Sequence, residues 1–352
     1  MNLDDRIAAF CELGAKLKTQ VETWARNDDD CEDNFLETMR LSESRNPWFD
    51  KKNLISSLSA WSDNLTKKEL NNWINPYADL IRKQNKIVVV GVVAAGNIPM
   101  VSFHDFVSIL LTGNRFRGKL AKSDNSLLPY VIKELLKIEP RLSDRIDITD
   151  DHLEGFDAVI ATGSDNSARY FDYYFGKYPN VIRKNRNAIA VIEGTESPEE
   201  MMNLGNDIFQ YYGLGCRNVS KLLVPVNYNL DRFFEGIYPF ADVIHHNKYG
   251  NNYDYNRTIF LMNEEKFLDN GFVLLKEDEG IASPIATLYF ERYDGNSALD
   301  EILTRHQDEL QCVSSKMQIN ENTVNLGRTQ QPELFDYADG INTIEFLCDL
   351  NS

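Results

Sequence analysis

Over roughly the first eighty residues the chain is polar and tryptophan-bearing, and its apolar positions Ile7, Phe10, Leu13 and Leu17 recur at helical spacing. This predicts an amino-terminal helical segment. At Lys86 the texture changes to a continuous apolar run, Ile87-Val88-Val89-Val90-Gly91-Val92-Val93, the pattern of a strand buried on both faces of a parallel sheet. The turn Ala94-Ala95-Gly96-Asn97-Ile98-Pro99 follows. A helix is then expected over residues 100–111, with Phe103, Val107 and Leu110 at helical spacing and Gly113-Asn114 as its stop. Residues 115–121 return as a strand, 127–136 as a helix, 156–161 as a strand, Thr162-Gly163-Ser164 as a turn and 168–174 as a helix. Strands alternating with crossover helices predict a doubly wound nucleotide-type domain.

A second unit of the same kind starts near Asn187. Ala188-Ile189-Ala190-Val191-Ile192 reads as a strand, and Ser197-Pro198-Glu199-Glu200 as a helix start with a capping box. Met201, Leu204, Ile208 and Tyr212 are expected along one face of that helix, until Gly213-Leu214-Gly215-Cys216 breaks it. Strands are expected at 220–226 and near 258–262, 272–276 and 285–290, with a helix near 299–306 and a short apolar end at 343–347. No repeat of 20 to 50 residues runs through the chain, which excludes solenoids and propellers.

Composition narrows the function. The 352 residues are 43% hydrophobic and 26% charged, ordinary values for globular domains, and 37 basic against 54 acidic side chains leave a net charge of −17. Such a field repels phosphate, so nucleic acid and anionic membrane are not expected partners, and any anionic ligand must be held locally. No stretch reaches the roughly 18 apolar residues of a membrane span, and the amino terminus lacks a leader pattern, so a soluble cytoplasmic protein is expected. The cysteines at 11, 31, 216, 312 and 348 form neither a disulfide framework nor, with five histidines, a zinc pattern.

The turn after the first strand is not G-x-G-x-x-G, and Gly213-Leu214-Gly215 follows a helix where that fingerprint follows a strand. Where nucleotide folds often place an acid on the cofactor ribose, this chain has Arg115-Phe116-Arg117-Gly118-Lys119-Leu120-Ala121-Lys122. Basic residues there suit the 2′-phosphate of NADP(H); a strand edge guarded against aggregation is the alternative. Cys216 stands in open glycine-rich backbone beside Arg217, where a carbonyl can approach and thiolate is favoured. The other four cysteines read as inert small core residues. His104-Asp105 and His245-His246 show no hydrolase spacing. The cluster Arg183-Lys184-Asn185-Arg186 is either solvated loop charge or a contact for CoA phosphates.

The ordered set formed by 89–99, Gly113-Asn114 to Lys122, Thr162-Gly163-Ser164, 187–192 and Tyr212-Gly213-Leu214-Gly215-Cys216 resembles the aldehyde dehydrogenase superfamily. More narrowly, it resembles the acyl-CoA reductase family that includes the fatty acyl reductase of bacterial bioluminescence. The likeness covers about 86–226, with Leu334-Phe335-Asp336-Tyr337-Ala338-Asp339-Gly340 adding weaker support. It implies an aldehyde dehydrogenase-like α/β fold of two doubly wound parallel-sheet domains behind an amino-terminal helical segment. The expected division is 1–186 for helices and cofactor domain, 187–326 for the cysteine domain and 327–352 for a bridging or oligomerisation tail.

The resemblance also implies roles. Cys216 takes the acyl group, and Asn97 with the Cys216 backbone N–H holds the oxyanion. Lys119 falls where the cofactor-ribose lysine lies, with Lys122 beside it, and Gly163-Ser164 where the phosphate turn lies. The implied activity is NADPH-dependent reduction of a fatty acyl-CoA to aldehyde through a cysteine thioester. A homo-oligomer, or a complex with an acyl-transfer or acyl-activating protein, is the implied assembly. Two departures from the pattern matter. Val181-Ile182-Arg183-Lys184 replaces the Glu-Leu-Gly-Gly segment that carries the hydrolytic base, with Glu193 as a possible substitute, and Gly280-Ile281-Ala282-Ser283-Pro284, beside Glu279, replaces Glu-x-Phe-Gly-Pro. A missing base suits an enzyme that exchanges its thioester with CoA. The alternatives are an aldehyde dehydrogenase working in the oxidative direction and a non-catalytic nucleotide-binding or acyl-transfer subunit.

Overall fold

Leu3, Ile7, Phe10, Leu13, Leu17 and Val21 return to one side of a helix every three or four residues, and they form the buried face of α1 (Leu3–Ala25). The computed structural model describes residues 1–27, 31–84, 86–149, 151–163 and 165–350. After α1 come α2 (Asp33–Arg45), α3 (Lys51–Asn64), α4 (Lys67–Ile74) and α5 (Ala78–Lys83). Asn2, Asp50 and Thr66 cap α1, α3 and α4 by accepting from the backbone N–H three residues on. Phe10, Phe35, Phe49 and Trp73 are buried between these helices, each worth roughly 1.5–3 kcal/mol of removed apolar surface.

The chain then alternates through β1 (Val89–Val93), α6 (Phe103–Leu111), β2 (Arg115–Lys119), α7 (Leu127–Ile138), β3 (Ile146–Ile148), β4 (Ala158–Thr162), α8 (Asp165–Phe175) and β5 (Asn180–Arg183). The strands make one parallel sheet in the order β3-β2-β1-β4-β5. Its chain path reverses at β1, so the crevice beyond the carboxyl ends of β1 and β4 is a topological switch point, where open α/β sheets bind ligands.

A second sheet follows, built from β6 (Asn187–Val191), α9 (Pro198–Phe209), β7 (Val219–Pro225), α10 (Leu230–Ile237), α11 (Asn247–Met262), β8 (Leu268–Asp269), β9 (Leu274–Glu277), β10 (Thr287–Tyr293), α12 (Gly295–Arg305), β11 (Leu310–Ser315) and β12 (Thr323–Val324). Its order is β12-β11-β6-β7-β10-β9-β8, parallel except for the β8–β9 edge. The capping box at Ser197 and Glu200 is present as the sequence predicts.

Three expectations change. Residues 258–262 are not a strand but the last turn of α11, whose buried Tyr249, Tyr253, Asn256 and Phe260 keep helical spacing among many asparagines and tyrosines. The helix expected to run to Tyr212 stops at Phe209, because Tyr211 and Tyr212 take left-handed φ values of 52° and 58°. Nor is 327–352 one tail. The chain divides into Met1–Lys184 with Glu333–Ser352, and Asn185–Pro332. Gly327 and Thr329 donate backbone bonds to Asp207 in the second unit. From Glu333 the chain rejoins the first unit, where α13 (Thr343–Asp349) buries Ile344 and Leu347 and Tyr337 accepts from Trp73 Nε1 at 2.9 Å. Those apolar side chains fill the chain's own core.

Candidate active site

Cys216 lies half-buried in the loop between α9 and β7, and that loop is built with care. Tyr211, Tyr212 and Gly213 are consecutive left-handed residues, an arrangement that costs of the order of 1–3 kcal/mol at each non-glycine position. Two contacts offset the strain. Tyr212 stacks on His246 with ring centroids 4.1 Å apart, and His246 Nδ1 accepts from Tyr249 N–H as the cap of α11. Asn218, buried, donates Nδ2 to the carbonyls of Gln210 at 2.8 Å, Asp207 at 3.0 Å and Ile208 at 3.3 Å, while its Oδ1 accepts from Gly215 N–H at 2.8 Å. Its own carbonyl accepts from Ala188 N–H on the neighbouring strand. The thiol is therefore carried on backbone tied to α9 and β6 together.

The remaining cysteines sit otherwise. Cys31, Cys312 and Cys348 are buried, and burial pushes the Cys348 thiol up to about 11 and raises that of Cys11.

The segment 280–284 also meets this end of the second sheet. Ser283 and Pro284 share a small cavity with Tyr212, Gly213 and Ser220. Just before it, the fully buried Lys221 of β7 donates Nζ to the carbonyls of Asp278 and Glu279 at 3.0 and 2.8 Å and to Glu291 at 2.6 Å. Burial lowers the Lys221 pKa, and Glu291 opposes that shift. Ser220 Oγ adds a bond to the carbonyl of Ile281. Glu279 itself is exposed.

Glu193 is at the wrong end of the sheet to serve Cys216. Strands β6 and β7 run parallel with Ala188 opposite Val219, so Cys216 precedes the amino end of β7 whereas Glu193 lies past the carboxyl end of β6. Five residues from Ala188 to Glu193 span roughly 17 Å.

In the first unit, three of the expected cofactor segments share one edge. Asn97 stands exposed in the turn after β1, Lys119 ends β2, Lys122 is exposed just beyond, and Gly163 follows β4. Ala94 N–H donates to the Lys119 carbonyl, and the register pairs Val93 with Lys119 and Ala161. Ser164 lies outside the described residues. Gly163 has a packing reason as well, since a Cβ there would press on Ser167 and Phe171 of α8. The turn is clamped by neighbours: Asn46 Nδ2 and Ser123 Oγ donate to the Gly96 carbonyl, and Asp124 Oδ2 accepts from Met100 N–H. Burial pushes the Asp124 carboxyl up to about 7, and its Oδ1 is buried with no hydrogen-bond partner among the described residues.

The basic run 115–122 does not act as one patch. Arg117 is tied to Asp147 at 2.8 Å and to the carbonyls of Glu154 and Gly155, and Arg115 is at the far end of β2, so only Lys119 and Lys122 reach the crevice edge. Neither lysine has an ion pair among the described residues. Arg183 is no solvated loop charge either. It makes a buried bidentate pair with Asp105 of α6, both bonds 2.7 Å, and donates to Thr343. This also gives Asp105 its purpose, and His104 bonds the Leu334 carbonyl at 2.8 Å. Asn218, Lys221 and Asp124 were missed by sequence reasoning; only the position of Asn218 two residues after Cys216 offered a signal.

No family model matches the chain, and no curated protein sequence matches it. Among solved structures it is similar to an aldehyde dehydrogenase from Physcomitrella patens in complex with its reaction product succinate, at TM-score 0.68 and 15% identity over 100% of this chain and 85% of that one. An indole-3-acetaldehyde dehydrogenase from P. syringae, in complex with NAD+ and IAA, matches at TM-score 0.64 and 11% identity, over 91% of this chain and 73% of that one. The NADP-dependent glyceraldehyde-3-phosphate dehydrogenase from Bacillus halodurans C-125, complexed with NADP, matches at TM-score 0.61 and 12% identity, over 94% and 77%. The likeness is one of fold: the chain has the aldehyde dehydrogenase-type α/β architecture, with two sheet domains behind an amino-terminal helical region.

Proposed function

We propose that this chain is an aldehyde dehydrogenase-type oxidoreductase in which Cys216 carries the acyl group as a thioester, and that it reduces an acyl-CoA to the aldehyde with NADPH. The observation that carries the reading is the Cys216 loop, where strained backbone and the bonds of Asn218 hold a half-buried thiol on an aldehyde dehydrogenase-type fold. The crevice edge suits a phosphate-bearing dinucleotide: Lys119 and Lys122 are cations without carboxylate partners among the described residues, in a chain of net charge −17. When bound, NADPH supplies the hydride.

The Cys216 thiolate attacks the acyl-CoA carbonyl, forming the new C–S bond as CoA thiolate leaves and takes up a proton. The Cys216 backbone N–H donates to the oxyanion, a donor worth about 3–4 kcal/mol. After reduction of the carbonyl carbon, the thiohemiacetal collapses to aldehyde and free Cys216. The same groups serve the oxidative direction, which the fold neighbours favour, since each is named as the dehydrogenase of an aldehyde. In that direction the missing carboxylate at 181–184 and the remoteness of Glu193 favour CoA over water as acceptor.

Incubation with acyl-CoA alone is expected to add one acyl mass, mapped to Cys216, and NADPH to release it as aldehyde. Cys216→Ala should lose both while still binding NADPH. Fast conversion of aldehyde to free acid without CoA would select the oxidative, hydrolytic reading. NADPH binding with no acylation would select a non-catalytic subunit, and acylation of another cysteine would overturn the assignment.

A further inference from the structure

Arg115 opens β2 at the end opposite Lys119, Arg145 immediately precedes β3, and Arg6 lies near the start of α1. The three converge at the amino-terminal edge of the first sheet. Arg145 Nη1 donates to the Gly113 carbonyl at 2.8 Å, and Arg6 covers the same glycine, whose φ is +83° and whose added Cβ would strike Arg6 Nη1. The guanidiniums repel one another. Burial and the charge of Arg145 pull Arg6 down to about 10, and burial and the charge of Arg115 lower Arg145; the nearby Asp5 and Asp144 oppose these shifts only in part. Nε of Arg6 and of Arg115 are both buried without a hydrogen-bond partner among the described residues. Burying unpaired cations is costly, and folding gains nothing from bringing three together.

Next to them is a cavity of about 340 Å³, lined by Arg6, Arg82, Lys86, Arg145 and the apolar Ile81 and Ile87. A smaller one of about 80 Å³ adjoins it at Arg6, Gly113 and Arg145 and reaches Arg141. Arg141 is already matched by Asp5 and Glu139, and Arg82 faces Asp4 at 3.7 Å. Arg6, Arg115 and Arg145 have no ion-pair partner among the described residues.

We propose that this cavity binds the phosphate group of a small organic phosphate, with Arg6 and Arg145 as donors, Arg115 adding positive charge beside Arg145, and Ile81 and Ile87 against the carbon body. Guanidinium forks match phosphate oxygens in pairs, and a dianion relieves the repulsion that the cluster carries when empty. The site is separate from the crevice at Lys119: the five residues of β1 put roughly 15 Å between the two edges of the sheet. It stands independently of the proposed activity.

The test titrates inorganic phosphate and glycerol 3-phosphate into the full chain by calorimetry and thermal unfolding, with chloride balancing ionic strength. One saturable site per chain is expected, tighter for glycerol 3-phosphate. Arg6→Gln should weaken binding at least about tenfold and Arg115→Gln by less, yet each should raise the melting temperature in phosphate-free buffer because repulsion is relieved. Arg145→Lys, which keeps the charge but not the fork, should weaken binding less than Arg145→Gln, and Lys119→Gln should leave it unchanged. No saturable binding, or binding lost in Lys119→Gln and kept in Arg6→Gln, overturns the site. Equal affinity for both ligands overturns the role of the apolar wall.

Discussion

Replacing Asn218 by alanine tests whether the Cys216 loop is held as described. The amide has two N–H groups for three carbonyls, so the Gln210 and Asp207 bonds carry most of its donor capacity, and the Gly215 N–H bond makes a third full interaction. At about 1 kcal/mol net each, their loss costs about 3 kcal/mol. Release of the left-handed Tyr211 and Tyr212 returns part of that, which leaves an expected loss of about 2–3 kcal/mol in the second unit. All four tryptophans, at 24, 48, 61 and 73, belong to the first unit, so their fluorescence should report an unchanged unfolding midpoint. Hydrogen exchange at the Gly215 amide should speed up, and so should alkylation of Cys216 by iodoacetamide under native conditions. Asn218→Asp, which turns a carboxylate toward three carbonyls, should be worse than alanine. A stability within about 0.5 kcal/mol of the parent, with unchanged exchange and alkylation, would refute the account.

Two further outcomes are expected. Arg183→Met leaves Asp105 as an unpaired buried carboxylate and should cost about 3–5 kcal/mol, read by tryptophan fluorescence in denaturant, while adding Asp105→Asn should recover part of the loss; strictly additive losses would refute the pairing. Asp124 holds its proton in the folded state up to about pH 7 but releases it near the ordinary carboxyl value of 3.8 when unfolded, so the folded state binds more protons in that window and stability falls as pH rises through it. Asp124→Asn should flatten that slope and raise stability at pH 8 by up to about 4 kcal/mol; parallel pH–stability curves for the two proteins would rule this out.

Much of the fold is legible locally. The apolar run at 87–93 and the 3–4 spacing in α1 state which faces are buried, and the Ser197 capping box states where a helix begins, because each signal is a property of a single element. The glycine-rich break before Cys216 marks an open loop in the same way. Local pattern failed where composition masked it: α11 carries its buried face on tyrosines and an asparagine, and its last turn reads as a strand. It also failed where a strand is longer than a patch of charge, since β2 carries Arg115 and Lys119 to opposite edges of one sheet.

The sequence by itself determined most of the alternation of elements, the capping box of α9 and the glycine-rich break before Cys216. Only the tertiary structure decided which polar groups meet. Asp105 and Arg183 are 78 positions apart, Lys221 and Glu291 70, and Asp207 and Thr329 122. Parallel strands return through crossover helices, so side chains remote in sequence arrive at the same edge, and the direction of β6 and β7 sets Glu193 and Cys216 at opposite ends. A hydrophobic pattern says that a face is covered; it carries no record of what covers it.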